Sequence, residues 1–295
     1  MDPLLVVSGF GIGLLVGMTG MGGGSLMIPI LILLFGTAPT TAIGSDIAYA
    51  AVTKSVGGWR HFRLRTVNLT LAFWLAVGSV PASIAGVWVI SFLHDAYGDS
   101  LDEIVLTMLA IALTAVGLLV LIRALFVPEL ARSERESFEL SQANKASAVA
   151  IGAATGFVIG ITSAGSGTLI AVFLIALYRL APRQVVGTDV FHAAILLTAA
   201  GIAHVVAGNV DFGLVGTILL GSVPGIWVGS HLTVRLPTGL LRNALGVVMV
   251  LSALALFDKA GIGWSYALAV VAPIALAVGL LVQTLARRAR AASAA

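Results

Sequence analysis

Long, uninterrupted hydrophobic runs dominate the chain, and they occur in the same order in its first and second halves. Each run is long enough for a helix that crosses the roughly 30 Å hydrocarbon core of a bilayer, which takes about 20 residues. The runs are continuously apolar rather than alternating, so a membrane β-barrel is not expected. The pattern predicts an all-α polytopic membrane protein with segments near 3–35, 40–58, 67–92, 103–126, 146–178, 184–207, 212–232, 240–257 and 264–286.

Composition and charge agree with this fold class. Hydrophobic residues form 59% of the 295 residues and charged residues only 10%, whereas soluble domains carry about 25% charged residues. The charges also leave long gaps, such as the one between Asp2 and Asp46. The net charge of +3 fits the basic loops that orient membrane proteins, so nucleic-acid binding is not expected.

The residue types of the chain give little support for a metal site or a bound cofactor. The chain contains no cysteine, which excludes disulfides and thiolate ligands. No group of His, Asp and Glu residues has the spacing of a metal site. His61 and His204 each lie near a predicted helix end, where an interfacial role is favoured over metal binding. The sequence therefore predicts no cofactor and no metal.

The two halves are copies of one another, offset by 143 positions. At this offset the glycine cluster that starts at Gly17 aligns with the one that starts at Gly160, and Gly44-Ser-Asp aligns with Gly187-Thr-Asp. Composition bias does not easily produce matched Asp residues at a constant offset, so internal duplication is indicated. The expected domains are a first repeat at 1–126, a cytoplasmic linker at 127–145, a second repeat at 146–258, and a C-terminal transmembrane helix with a basic tail at 259–295.

The opening segment of each half is too long for one straight crossing and has a glycine cluster near its middle. At ~1.5 Å per residue, its 33 residues would form a rod of about 50 Å. It is either a broken helix that crosses once or a hairpin of two short helices. The positive-inside rule favours hairpins. With hairpins, 14 of the 16 Lys and Arg residues fall on one side, whereas single crossings leave seven on the wrong side.

Hairpins have a consequence for the relation between the halves. Each half then makes an odd number of full crossings, so the second half is inverted relative to the first. The N-terminus is expected outside, and the linker and the C-terminus in the cytoplasm. Two inverted repeats are predicted, each a glycine-tipped hairpin or broken helix plus three transmembrane helices, with one extra C-terminal transmembrane helix. Such an architecture, with interrupted helices that meet near the midplane, is typical of secondary transporters.

The glycine clusters are candidate anion sites. Each leads into a new apolar helix, and Ser25 and Thr168 stand at the expected N-cap positions. Unpaired N–H groups and the helix dipole attract anions at a helix start. The alternative is close packing of small residues between helices, but the duplication and the over-long segments favour a binding site. The candidate substrate-binding residues are Thr19, Gly22, Gly23, Gly24, Ser25, Thr162, Ser163, Gly165, Ser166, Gly167 and Thr168.

Asp46 and Asp189 are acidic residues at equivalent positions inside predicted membrane helices. A charge at membrane depth is costly and indicates a functional role. Three roles stay open, namely proton coupling during transport, structural anchoring through accepted hydrogen bonds, and, less favoured, exposure near the headgroups. Lys54 could attract an anion, pair with Asp46, or extend to the inner membrane surface. His192 could relay protons or pack through hydrogen bonds.

These motifs resemble those of the sulfite exporter TauE/SafE family, also called the 4-toluene sulfonate uptake permease family. The resemblance covers nearly the whole chain and rests on the first glycine cluster through Pro29, the second cluster, and the Gly-Ser-Asp and Gly-Thr-Asp elements. The second cluster departs from the pattern, since Ser166 replaces the middle glycine and Val172 stands at the position equivalent to Pro29. Whether both hairpins contact substrate equally therefore stays open.

Together, the motifs and the resemblance predict a secondary active transporter rather than an enzyme. The resemblance implies a bacterial inner-membrane carrier for sulfite, sulfoacetate or other sulfonates. We expect alternating access around a midplane anion site, with protons as the coupling ion and the bilayer as the other partner. A passive anion channel is the alternative. An intramembrane aspartyl protease is less favoured, because the two acids lie in copies of one element without a Gly-x-Gly-Asp pattern. The oligomeric state stays open.

Overall fold

The protein is all-helical in the computed structural model, which describes residues 2–19, 23–97, 101–130, 141–232 and 238–291. These residues contain eleven helices and no β-strand. The first half holds α1 (Pro3–Thr19), α2 (Gly24–Leu33), α3 (Pro39–Arg63), α4 (Leu69–Tyr97) and α5 (Leu101–Leu130). The second half holds α6 (Gln142–Thr162), α7 (Leu169–Ala176), α8 (Pro182–Val206), α9 (Phe212–Leu232) and α10 (Thr238–Lys259), and α11 (Trp264–Ala291) follows.

The predicted polytopic membrane protein is confirmed. Six helices of the described ranges are long and apolar enough to cross a bilayer, and α1 and α2 are shorter apolar helices. The crossing segments are Leu69–Leu93, Leu101–Ile122, Gln142–Thr162, Pro182–Val206, Phe212–Leu232 and Tyr266–Thr284. Helix α6 begins four residues before the predicted segment, because the Ser141 hydroxyl accepts a hydrogen bond from the Asn144 amide and caps the helix.

Equivalent turns in the two halves share their backbone conformation. Gly36 (φ 64°) and Arg179 (φ 51°) are both left-handed, and so are Arg65 (φ 54°) and Gly208 (φ 74°). Each pair is separated by the repeat offset, and each combines one glycine with one arginine. Arginine adopts this conformation only where the surrounding structure requires it. The duplicated fold therefore fixes these turns, and glycine is the easier residue to place there.

Both opening segments are interrupted, as the glycine clusters predict. Residues 20–23 separate α1 from α2, of which 20–22 lie outside the described residues, and residues 163–168 separate α6 from α7. Prolines follow the interruptions at the start of the next long helices, since Pro39 opens α3 and Pro182 opens α8. Proline fits the first turn of a helix because its missing N–H has no partner to lose there.

Contacts between helices give their relative directions. Gly9 of α1 packs against Ile218 of α9, and Gly17, two turns later, packs against Ile226, so α1 and α9 are parallel. In the same way α6 lies parallel to α4. By contrast, Gly58 of α3 contacts Phe191 near the start of α8, whereas Ala48 contacts Gly201 near its end. Helices α3 and α8 are therefore antiparallel, although they are equivalent elements of the two halves.

The same contacts, taken with the short connections between helices, indicate that the first segment turns back on itself. Residues 207–211 connect α8 to α9 and residues 34–38 connect α2 to α3, and connections of this length join antiparallel helices. Helix α9, and with it α1, then runs in the direction of α3, whereas α2 runs against it. Gly24 at the start of α2 lies beside Asp46, which is seven residues inside α3. This path is the hairpin that the positive-inside rule favours.

Candidate functional site

The interruptions of the two halves meet at one buried carboxylate. The Ser163 hydroxyl, directly after α6, donates a 2.6 Å hydrogen bond to Oδ2 of Asp46 in α3. Gly24, the first residue of α2, lies against the same oxygen and against the Ser163 hydroxyl. Asp46, Ser163 and Gly24 are all buried. Three elements from both repeats, namely α2, α3 and the end of α6, therefore converge on the Asp46 side chain, and we call this place the Asp46 site.

Local backbone geometry explains why Ser163 presents its hydroxyl to Asp46. Ser163 has a left-handed conformation (φ 53°) and ends α6, and its amide donates to the Ile159 carbonyl at 2.7 Å. This conformation stops the helix and turns the chain toward the second glycine cluster. Thr162, one residue earlier, instead donates its hydroxyl proton to the Val158 carbonyl of its own helix.

The start of α2 differs by two positions from the sequence prediction. The N-cap is Gly23 rather than Ser25, and it has helical dihedrals (φ −69°, ψ −24°) and no side-chain cap. The amides of Leu26 and Met27 donate to the Gly23 carbonyl. The amides of Gly24 and Ser25 have no acceptor among the described residues. Two N–H groups at the start of an apolar helix are therefore available beside the Asp46 site.

In the second cluster the predicted N-cap residue of α7, Thr168, is in place, but its side chain makes no capping hydrogen bond. The amides of Thr168 and Leu169 instead donate to the carbonyl of Gly165, a residue with φ 88°. The hydroxyl-bearing residues of both clusters are buried, and they are Thr19, Ser25, Thr162, Ser163, Ser166 and Thr168. Gly22 lies outside the described residues, and Gly167 is partly exposed.

Asp46 is inaccessible to solvent (0% exposed), and its second oxygen, Oδ1, has no hydrogen-bond partner among the described residues. Lys54 is buried in the same helix (9% exposed), but no ion pair joins it to Asp46 in the part of the chain that the structure describes. The structure therefore gives no support to the alternative in which these two residues pair, and the other two roles of Lys54 stay predictions. A buried carboxylate with one neutral donor is a costly arrangement unless a proton, a water molecule or a ligand completes it.

The equivalent acidic residue, Asp189, is also buried, at 3% exposed. One turn later on α8, His192 is fully buried and its Nε2 lies 2.8 Å from the Ser79 hydroxyl of α4. The equivalent positions in the other half hold Tyr49 and Ser222, which are buried as well. His192 therefore connects the two repeats through Ser79, in agreement with the hydrogen-bonded packing role that the sequence left open.

The structure gives the Gly-Ser-Asp and Gly-Thr-Asp elements a role that sequence reasoning missed. The Ser45 hydroxyl accepts a 3.0 Å hydrogen bond from the Asp211 amide, and the Thr188 hydroxyl accepts one of 2.9 Å from the Asn68 amide. The Ser45 hydroxyl of α3 thus holds the start of α9, and the Thr188 hydroxyl of α8 holds the start of α4, so each bond crosses to the opposite repeat. The glycine before each of these residues makes room, since Gly44 lies directly against the Asn209 carbonyl. The offset alone could have indicated that these positions act as a pair.

The surroundings of His204 do not follow from its position near a helix end. His204 was expected at the membrane interface, but it is fully buried, and its Nε2 lies 3.0 Å from the Gly160 carbonyl near the end of α6. His61 is half-buried and its Nδ1 lies 2.9 Å from the Thr66 hydroxyl. Position near a helix end fails as a guide here because the His204 side chain faces α6, although Val206 at the end of α8 is 83% exposed. In the described ranges, no group of three His, Asp or Glu residues could hold a metal ion.

Comparison with known proteins agrees with this architecture. The family model described as "Sulfite exporter TauE/SafE" matches residues 5–256. Among similar proteins of Bacillus subtilis, "Probable membrane transporter protein YjnA" is 37% identical over 87% of this chain and all of its own length. "Probable membrane transporter protein YdhB" is 28% identical over 86% of this chain and 99% of its own length.

More distant similarity follows the same pattern. "Probable membrane transporter protein YunE" of Bacillus subtilis is 23% identical over 83% of this chain and 92% of its own length. No solved structure matches the chain. The family and the names of these relatives indicate a transporter and not an enzyme, which sets aside the protease alternative. The chain belongs to the sulfite exporter TauE/SafE family and is a membrane transporter.

Proposed function

We propose that this chain is a secondary active transporter of a small sulfur-containing or organic anion. Sulfite, sulfoacetate and other sulfonates are the candidate substrates, because the matched family is named for sulfite export. The observation that carries the proposal is the meeting of both chain interruptions at buried Asp46. Secondary transporters build their binding sites from interrupted helices of two repeats, near the middle of the membrane.

The substrate contacts of this proposal come from backbone and hydroxyl groups. The amides of Gly24 and Ser25 are available at the start of α2, where the helix dipole attracts negative charge. The buried hydroxyls of Ser25, Ser166 and Thr168 belong to the same two clusters. Thr19 and Thr162 contribute less, because each donates its hydroxyl proton to a carbonyl of its own helix.

Asp46 supplies the coupling in this proposal. An ionised Asp46 carboxylate places a negative charge at the start of α2, where the substrate anion would bind, and two like charges repel strongly in a medium of low dielectric constant. A protonated Asp46 removes that repulsion and still accepts the Ser163 hydrogen bond. Anion and proton therefore bind together, so that the proton gradient drives anion movement. Asp189 takes the equivalent role in the second half, and His192, one turn away, shapes its surroundings.

Alternating access follows from an inverted arrangement of the repeats. We place the N-terminus outside and the C-terminus in the cytoplasm of a bacterial inner membrane, because this orientation puts most Lys and Arg residues inside. The antiparallel packing of α3 and α8, which are equivalent elements, supports the inversion. Rocking of one repeat against the other would then open the Asp46 site to each side in turn.

Transport by purified protein in liposomes tests the proposal. With an acidic exterior, the wild-type protein should accumulate sulfite or a sulfonate above its external concentration. Asp46→Asn should abolish accumulation driven by the pH gradient and retain exchange of internal for external substrate, because asparagine is neutral and cannot exchange a proton. Asp102→Asn serves as a matched control, since Asp102 is exposed in the first turn of α5, and it should behave like the wild type.

Three outcomes would contradict the proposal. Accumulation by Asp46→Asn at the wild-type level would remove the coupling role from this residue. Unitary currents without saturation would show a passive channel in place of a carrier. Binding confined to cations, measured as thermal stabilisation across a panel of sulfur oxyanions, carboxylates and metal cations, would remove the anion site itself.

A further inference from the structure

The outer face of the α3–α8 pair carries an apolar groove that the transport mechanism does not use. It has a volume of about 500 Å³ and is lined by small or aromatic residues, including Ser55, Gly58, Trp59, Phe191, Ala194 and Thr198. Gly58 lies against Ala194 and Phe191, so the two helices approach each other closely along the groove. The groove is accessible from outside the protein, since Trp59 and Ile202 at its two ends are each 61% exposed.

The two ends of the groove differ sharply in charge. At the Trp59 end, the Arg63 guanidinium lies 5.8 Å from the centre of the Trp59 ring. Arg60 lies in the last turn of α3 and Arg183 in the first turn of the antiparallel α8, so they belong to the same end. At the opposite end, residues 202–206 are Ile-Ala-His-Val-Val and carry no acidic or permanently basic side chain. Position 203, equivalent to Arg60, holds alanine.

The length of the groove matches one leaflet of a bilayer. Its lining on α8 extends from Phe191 to Ile202, which is about 16 Å at ~1.5 Å per residue. Half of the hydrocarbon core is about 15 Å thick. Tryptophan beside arginine marks the boundary between hydrocarbon and headgroups in membrane proteins. Trp59 and Ile202 are equivalent positions of the two repeats, so in an inverted arrangement the groove crosses the midplane, with its Trp59 end toward the headgroups on one side.

We propose that this groove binds one acyl chain of an anionic phospholipid, whose phosphate group contacts Arg60 and Arg63. Charge complementarity favours an anionic lipid, because basic residues cluster at the headgroup end alone. A second copy of this chain fits less well. Two copies related by a two-fold axis along the membrane normal would bring both basic ends to the same side, where the arginines would repel one another. The lipid proposal is independent of the transported substrate.

Spin-labelled lipids test the proposal on the full-length protein in phosphatidylcholine liposomes. The immobilised fraction of a trace of spin-labelled phosphatidylglycerol is compared with that of spin-labelled phosphatidylcholine. We expect the wild-type protein to prefer phosphatidylglycerol, and Arg60→Gln and Arg63→Gln to lower the relative affinity by about fivefold each. Lys145→Gln is the matched control, because Lys145 also lies over a tryptophan, Trp74, but does not line this groove, and it should leave the preference unchanged.

Filling the groove separates a specific site from general attraction to a basic surface. Thr198→Phe places a ring in the groove at an exposed position and should reduce the immobilised fraction of both lipids. Leu220→Phe, at an exposed position of α9, should leave it unchanged. Equal immobilisation of both lipids by the wild type, or no effect of Thr198→Phe, would overturn the proposal. The native chain has no cysteine, so spontaneous disulfide dimers of Thr198→Cys would also overturn it, since a second copy would then cover the groove.

Discussion

At Gly24 the absence of a side chain decides how closely the two repeats approach. A methyl group at this position would overlap the Asp46 carboxylate and would lie within 2.9 Å of the Ser163 hydroxyl. Both neighbours are held by their mutual hydrogen bond, so neither can move away without breaking it. The glycine is therefore required by the site, in addition to any role in helix packing. Gly11, by contrast, has nothing within 4 Å of an added methyl group.

Replacement of Gly24 by alanine tests this requirement. We expect Gly24→Ala to lower the free energy of unfolding by about 1–3 kcal/mol through overpacking and to abolish anion uptake, because the start of α2 moves away from Asp46. Gly11→Ala is the control in the same half, and it should raise stability by about 0.5–1 kcal/mol because alanine favours the helix. Thermal unfolding in detergent and uptake in liposomes measure the two effects.

Full transport by Gly24→Ala would show that α2 need not approach Asp46 during the cycle. Loss of transport by both glycine variants would indicate a general effect on the helices rather than a local one. The comparison is informative because Gly11 and Gly24 lie in the two helices of one hairpin, so a general weakening of the hairpin would affect both.

The sequence alone identifies several of these residues but not their partners. Asp46 and the glycine clusters are visible because an acid in an apolar run and a duplicated motif are unusual. The hydrogen bond from Ser163 to Asp46 joins residues 117 positions apart, and the burial of His204 depends on α6. Neither follows from local pattern, since both require the angle at which the repeats pack. The role of the candidate residues in substrate binding stays a prediction.

At the scale of elements, each repeat holds the start of a helix in the other. Asn68 precedes α4 and donates its amide to the buried Thr188 hydroxyl of α8, while Asp211 precedes α9 and donates to Ser45 of α3. Amides at a helix start lack partners within the helix. The duplicated hydroxyls satisfy them across the interface between repeats, one residue before Asp46 and Asp189, so packing of the repeats and placement of the acidic residues are coupled.

Removal of one such hydroxyl should weaken the interface between the repeats. Thr188→Val keeps the side-chain shape but leaves the Asn68 amide without its acceptor, and we expect a loss of about 1–3 kcal/mol in the free energy of unfolding. Thr188→Ser keeps the hydroxyl and should lose less. Thr198→Val is the control, because Thr198 is exposed and donates only to the Ala194 carbonyl of its own helix. Equal stability of Thr188→Val and Thr198→Val in thermal unfolding would contradict this role.

Helix positions are the most predictable level of the structure, and helix starts the least. The apolar runs place the long helices correctly because hydrophobic length is a direct requirement of the bilayer. The start of α2 is displaced, since Gly23 already has helical dihedrals and the helix needs no hydroxyl cap. The start of α6 is displaced in the same direction, toward the N-terminus, since polar residues after Ser141 extend the helix ahead of the apolar run. Both errors arise where a cap, rather than hydrophobicity, decides the boundary.

At the scale of the whole molecule, contacts recur with the repeats exchanged. Gly13 of α1 lies against Ser222 of α9, and Gly156 of α6 lies against the equivalent residue of α4, Ser79. Such reciprocal contacts are those of two similar bodies related by a two-fold axis. Equivalent helices at the centre, such as α3 and α8, run in opposite directions. A two-fold axis that exchanges two antiparallel helices is perpendicular to the helices. In a bilayer this axis would lie in the membrane plane, as in an inverted repeat.

Single cysteines at matched loops test whether the repeats are inverted in the membrane. Residue 38 precedes α3 and Arg183 lies in the first turn of α8, so the two mark equivalent ends of equivalent helices, and both are exposed. In intact cells, an impermeant thiol reagent should label Ala38→Cys and spare Arg183→Cys, because the orientation that places Lys and Arg inside puts these ends on opposite sides. Both variants should react after permeabilisation, which shows that each cysteine is reachable. Labelling of both in intact cells, or of neither, would mean parallel repeats, and the alternating-access mechanism would then lose its structural basis.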